Sequence, residues 1–155
     1  MPDMPYSEAS ELLAEYKYCD AGAWEPHPKE PHALMQNLPV IAADGSYMKG
    51  VRCEVFYKES SETGTSHWVF TLTKQEKERR KQVYYRAYQL DIFIAPFLTP
   101  NDHRRPHVHI GDQRLPLENP PQSWSFVTAL EKFSIDCNIH SDIKIEAPKP
   151  VELLL

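Results

Sequence analysis

Between Val51 and Ala95 the apolar side chains recur at every second position, and extended strands with one buried face are the conformation that uses such a pattern. Val51, Cys53, Val55 and Tyr57 share one face of a first run. Trp68, Phe70 and Leu72 share a face of a second, with Val69 and Thr71 on the other. Val83 to Ala95 is the longest run, with Tyr84, Arg86, Tyr88, Leu90, Ile92 and Ile94 on one face and Gln89, Asp91 and Phe93 among those opposite. It is about twice the usual strand length, so a bend or bulge midway is expected. The turn-formers between Ser60 and Thr65 separate the first two runs. An antiparallel set follows, because short connections cannot return a chain in parallel.

The flanks add less regular pieces. Leu38 to Ala42 reads as a short strand before the Asp44-Gly45-Ser46 turn, and Pro106 to Ile110 and Ile143 to Glu146 as two more. Ser7 to Tyr18 carries Leu12, Leu13 and Tyr16 at helical spacing. A second helix, capped by Ser123, would bury Trp124, Val127, Leu130 and Phe133. The charged run Lys74 to Lys81 fits a solvated helical turn, and the proline-broken stretch from Ala21 to Gln36 a wrapping loop anchored by Trp24. The expectation is a single domain over residues 1–155. Its fold class is α+β, a mainly antiparallel β-sheet of five or six strands with two packed α-helices.

Composition narrows the function. The chain holds 14 prolines but 5 glycines, too few for phosphate-cradling loops, and there is no dinucleotide fingerprint and no G-x-S-x-G. A net charge of −5 argues against a sequence-independent coat for nucleic acid, although Lys74 to Lys81, the alternative use of which is an RNA-contacting arm, and Arg104, Arg105 and Arg114 leave room for a local basic patch. Cys19, Cys53 and Cys137 are odd in number and widely spaced, so reduced buried thiols are expected. The first residues lack a signal-peptide pattern, and no run approaches the roughly 18 apolar residues of a membrane span. The expectation is a cytoplasmic protein without a membrane partner.

One segment carries chemistry: His103-Arg104-Arg105-Pro106-His107-Val108-His109. On a strand, His107 and His109 present both imidazoles on one face while Val108 and Ile110 point to the core. Three uses fit. One is a solvated edge strand in which the histidines deter aggregation. The second is an acid–base pair acting on a phosphodiester. There Arg104 and Arg105 would hold phosphate and His103 or Tyr88 would assist, with RNA or a nucleotide phosphate as substrate. The third is a divalent-metal site, such as zinc, with Asp91 as third ligand beside His107 and His109; Asp102, Asp112, Glu118 and His140 are alternatives. The two arginines weigh against that site, because they add positive charge where a cation would sit. Asp91 has another use, as an ion-pair partner of Arg86 or Arg114.

The run His103-Arg-Arg-Pro-His107-Val-His109-Ile110 resembles an H-x-x-P-H-x-H-hydrophobic motif of small prokaryotic and phage-borne families of unknown function. Some of those look like members of toxin–antitoxin or defence gene pairs. The resemblance covers about a third of the chain if the Leu90-Asp91-Ile92 strand before the motif and the helix ending Phe133 to Ile139 are included. It implies a toxin or defence setting and no particular reaction. The expected function is therefore a small toxin- or defence-associated nuclease or phosphodiesterase using paired histidines. The alternatives are a non-catalytic interaction protein (an antitoxin, immunity factor or phage inhibitor) and a metal-dependent hydrolase. The acidic balance, proline-rich loops and apolar Leu153 to Leu155 tail motivate the interaction protein.

Overall fold

A computed structural model describes residues 1–99, 102–117, 124–141 and 145–148. The chain runs α1 (Tyr6–Ala14), β1 (Lys17–Cys19), β2 (Glu25–Pro26), β3 (Leu34–Ala42), β4 (Tyr47–Ser60), β5 (Thr65–Glu78), β6 (Lys81–Ile94), β7 (His107–Ile110), β8 (Gln113–Pro116), α2 (Phe126–Asp136) and β9 (Ile139–His140). The expectation of five or six strands is wrong. The molecule is dominated by one nine-stranded sheet in the order β8-β7-β6-β5-β4-β3-β1-β9, with β2 paired to β3. Among the described residues the strand pairings are antiparallel except β1 with β9, and outside the named strands Asp3 and Arg86 form a parallel bridge.

The surplus strands escaped the pattern for physical reasons. β1, β2, β8 and β9 have two to four residues each, too few to show a period. β1 takes the end of the expected first helix, and β2 with the start of β3 lies in the expected loop. The Lys74 to Lys81 run is the tip of the long β5–β6 hairpin rather than a helical turn; ladder pairing continues to Glu78–Lys81, and Arg79 turns the corner at φ 54. The helix cap is Ser125, whose Oγ accepts from the Thr128 amide at 3.1 Å. Accordingly α2 buries Phe126, Ala129 and Phe133, while Val127 is 56 % exposed. Ser123, Glu118, Ile143 and the Leu153 to Leu155 tail lie outside the described residues, and Ile145 and Glu146 are not in a strand. Among the described residues no helix is long and apolar enough to cross a membrane.

Period-two alternation divides the sheet into two unlike faces. Cys53, Val55, Trp68, Phe70, Leu72, Tyr88, Leu90, Ile92 and Val108 point one way and are buried under the two helices. Phe126 and Phe133 lie 5.5 and 5.6 Å from the Phe70 ring, and Phe133 lies 5.7 Å from Tyr88. Each such fully buried side chain contributes about 1.5–3 kcal/mol. Lys17 is buried as well. Its ammonium donates to the carbonyls of Leu13 (3.2 Å), Glu15 (2.7 Å) and Cys137 (2.8 Å), joining the end of α1 to the end of α2. Burial lowers its pKa.

The expected irregularity in β6 is present. The β5–β6 register shifts between Leu72 and Thr73, where Leu72 pairs with Tyr88 and Thr73 with Arg86, leaving Ala87 without a counterpart. The bulge turns Arg86 onto the same side as Gln89, to whose Oε1 it donates at 2.8 Å. The amino terminus docks here. Arg86 pairs with Asp3 at 2.7 Å and exchanges backbone hydrogen bonds with Pro2 and Met4. The two-residue turn Gly111–Asp112 closes the β7–β8 hairpin. A Cβ on Gly111 would sit 2.5 Å from the Met4 carbonyl, so this turn and the amino-terminal segment pack only because position 111 has no side chain.

Candidate functional site: the open face of the sheet

The face away from the helices gathers the titratable groups. Register fixes their order. Val69 on β5, Asp91 on β6 and His107 on β7 stand side by side, and so do Thr71, Gln89 and His109. Directly opposed residues point to the same side of a sheet with Cβ atoms about 5 Å apart. His67 enters from β5 one pleat further along, opposite Phe93. Its Nε2 donates to Asp91 Oδ1 at 2.9 Å. Three imidazoles and one carboxylate thus occupy neighbouring positions on three adjacent strands, all partly open to solvent.

The rings are held. His107 Nδ1 lies 2.8 Å from the Arg105 carbonyl and 3.4 Å from an Arg114 nitrogen. The shorter contact governs, because a carbonyl only accepts and Arg114 already donates to the His103 carbonyl. Nδ1 therefore carries the proton and the Nε2 lone pair is left for chemistry. His109 packs edge to face on His107, with ring centroids 4.9 Å apart. Its pKa falls to about 4, chiefly through burial and then through Arg86 and His107, so it is neutral at pH 7. Gln89 stands between the Arg86 guanidinium and the Thr71 hydroxyl, donating to the latter at 3.1 Å.

The predicted site residues divide. His107 and His109 share a face as expected. His103 does not join them: its side chain is 85 % exposed and its nearest acid is Asp102, 4.0 Å away. Arg104 is committed to Asp102, with guanidinium bonds of 3.0 and 2.7 Å and a backbone bond of 2.8 Å. That pairing holds the Asp102 carboxyl well below the usual carboxylate range. The same guanidinium lies 5.1 Å from the Phe97 ring centre and 5.7 Å from that of Phe93. Arg105 is half-buried and supplies the carbonyl that orients His107. Tyr88 as a substrate contact is a correction. It is fully buried on the helix side, and its hydroxyl donates to Asp136 at 2.6 Å.

Asp91 pairs with His67 rather than with Arg86 or Arg114. Among the described residues no three His, Cys, Asp or Glu side chains come together as a metal-ligand group, so Asp91, His107 and His109 do not form the expected set. His67 is the residue sequence reasoning missed. Its signal was available, since it extends the Val69 and Thr71 side of β5 by one step. Comparison with protein-family models, with curated proteins and with solved structures finds no match for this chain.

Proposed function

We propose that this chain is a small nuclease, a phosphodiesterase whose acid and base are the histidines of the open face. The observation that carries the reading is the placement of His107 and His67 on either side of Asp91, each ring with one nitrogen already tied down. Two strand spacings and one pleat put their backbones roughly 12 Å apart, a span that leaves a phosphodiester between the ring tips. His107 is the base: its free Nε2 takes the proton from a ribose 2′-hydroxyl, whose oxygen attacks phosphorus. The bond from phosphorus to the 5′-oxygen then breaks, and His67, entering as the imidazolium with its Nε2–H bonded to Asp91, gives its Nδ1 proton to that oxygen, while His107 keeps the proton taken from the 2′-hydroxyl. Arg114, whose guanidinium lies 3.4 Å from His107 Nδ1 and also donates to the His103 carbonyl, is the first candidate to meet the developing charge on the phosphate. Arg105 is the second candidate for this role, and Arg104 is excluded by its bond to Asp102. His109 keeps the His107 ring in place and, being neutral, does not compete with the substrate's counter-charges.

The reaction as drawn uses no resident metal. The motif resemblance supplies the toxin or defence setting, and RNA is the substrate proposed. RNA cleavage in the presence of EDTA tests the reading. His107→Ala and His67→Ala should each lose about 10²- to 10⁴-fold activity, and His103→Ala should stay within about twofold of wild type. Undiminished cleavage by His107→Ala overturns the assignment. Cleavage abolished by EDTA and restored by zinc or manganese returns the metal-dependent reading.

A second reading, a non-catalytic interaction protein, is favoured by a separate observation. Val127 and Ile135 (78 % exposed) stand beside an apolar groove of about 530 Å³ lined by Leu38, Leu130, Phe133 and Ile139. Val127→Glu/Ile135→Glu should leave RNA cleavage intact if the first reading is right. A chain with no turnover whose biological effect is lost in that variant would favour the second.

A further inference from the structure

We infer that the open face binds a single-stranded polynucleotide lengthwise along β5 and β6, with a base-stacking station at each end of the histidine cluster. The inference rests on the phosphodiesterase reading for its ligand class and adds the form and length of the substrate.

A cavity of about 540 Å³ runs along this face; His67 is the member of the histidine cluster in its wall, and Gln89, opposite His109, lies there too. At one end is a group of rings. Phe56 and Phe93 each meet His67 edge to face, with centroids 5.4 Å away in both cases. Phe56 and Phe93 are partly exposed on the face turned away from α1 and α2. At the other end the Arg52 guanidinium lies 4.4 Å over the Tyr84 ring, and both residues line the same cavity. Aromatic rings and guanidinium planes on an open sheet are what unpaired bases stack on.

The spacing sets the length. Phe93 is opposite His67, and Tyr84 is opposite Gln75, so the stations lie eight residues apart along β5. At about 3.3 Å per residue that is roughly 25 Å. One nucleotide reaches one station, whereas roughly four in an extended strand reach both, at the low end of the site sizes of small sheet-based binders. Between the stations the cavity wall is formed by Thr71, by Gln89, which already bonds Arg86 and Thr71, and by Glu54, whose carboxylate can accept from base amino groups but not from phosphate. Arg52 on β4 and Arg114 on β8 give this side cationic groups, while Arg86 is paired with Asp3 and the carboxylates of Glu54 and Asp91 share the face. A duplex turns its base faces inward and cannot use either station.

The test is fluorescence anisotropy with 2′-O-methyl oligonucleotides, which lack the attacking hydroxyl, at lengths of two, four and eight and with an eight-pair duplex, in EDTA. Affinity should rise from the dimer to the tetramer and then level off, and the duplex should bind about tenfold or more weaker than the single strand. Phe93→Ala and Tyr84→Ala, checked for an unchanged melting temperature, should each weaken octamer binding about tenfold or more, while Phe93→Trp and Tyr84→Trp retain it. A dimer that binds as tightly as the octamer, a duplex that binds as well as the single strand, or two alanine variants that bind like wild type overturns the inference. RNA cleavage by the same proteins separates the two claims. Length-dependent binding without any cleavage leaves this inference standing and removes the phosphodiesterase. Cleavage that survives in both alanine variants, with binding unchanged, does the reverse.

Discussion

The two faces of β5 and β6 are made by alternate residues of the same strands, yet they have opposite fates. Phe70, Leu72, Leu90 and Ile92 are fully buried beneath the helices, while His67, Val69, Gln89, Asp91 and Phe93 stay partly open on the other side. The helix-covered face holds the sheet together by burial. The open face spends the rigidity so obtained on holding polar groups at fixed spacings, which a loop would do less well. Because successive side chains belong to different faces, stability and chemistry should be separable by substitutions one residue apart.

The largest effect expected on that division is at Phe70. Phe70→Ala removes a ring packed against Phe126 and Phe133 and should cost about 3–5 kcal/mol, read by urea denaturation. Val69→Thr, its neighbour on the open face, should stay within about 1 kcal/mol. Equal costs at the two positions would break the comparison. Next comes Lys17→Met, which keeps most of the side-chain volume but leaves the Leu13, Glu15 and Cys137 carbonyls without their donor. A loss of about 2–4 kcal/mol is expected, since two of those bonds are buried. A variant as stable as wild type would mean that the carbonyls find other partners and that the ammonium is not what ties α1 to α2.

Tyr88→Phe sharpens the line between the faces. The hydroxyl bonds a carboxylate that Lys132 also holds at 3.0 Å, so its loss should cost about 1.5–2 kcal/mol. RNA cleavage per folded molecule should be unchanged, because the ring points away from the histidines. A large fall in turnover at unchanged substrate affinity, with the fold intact, would place Tyr88 in the chemistry after all.

Much of this division was legible in the sequence and some was not. The i, i+2 spacing of His107 and His109 put both rings on one side, and alternation had already assigned Tyr88 to the Leu90 and Ile92 side, away from Asp91. The substrate role given to Tyr88 ignored that parity. His67 was accessible by the same rule, but it has no motif around it, and a strand read from Trp68 onward stops one residue short. Gly111-Asp112 is a two-residue hairpin signal that would have revealed β8. Pro116 hid it, although a proline is tolerated on an edge strand, where its missing amide breaks no ladder. Three features were beyond local pattern. Lys17 is buried because the carbonyl of Cys137, 120 residues away, converges on its ammonium with those of Leu13 and Glu15. Arg104 is lost to Asp102, and which acid an arginine takes is a tertiary matter. The bulge at Ala87, which brings Arg86 to the open face, was expected only as an irregularity somewhere in an overlong strand.

The smallest expected effect probes the histidines without any substrate. An unfolded histidine takes up a proton near pH 6.5, whereas folded His109 resists protonation until about pH 4. Between those values the unfolded state binds the proton and the folded state does not, so stability falls as the pH drops from about 6.5 toward 4. Above that window His109 adds no pH dependence, and below it the loss is complete. The ring is partly open to solvent, and with screening taken into account the loss is about 1–2 kcal/mol. His109→Asn has nothing to titrate there. Across pH 7.5 to pH 4 the melting temperature of the wild type should therefore fall further than that of the variant, whatever the variant's offset at neutral pH. Parallel curves would mean that the His109 environment tolerates an imidazolium, and the neutral ring that holds His107 would have to be given up.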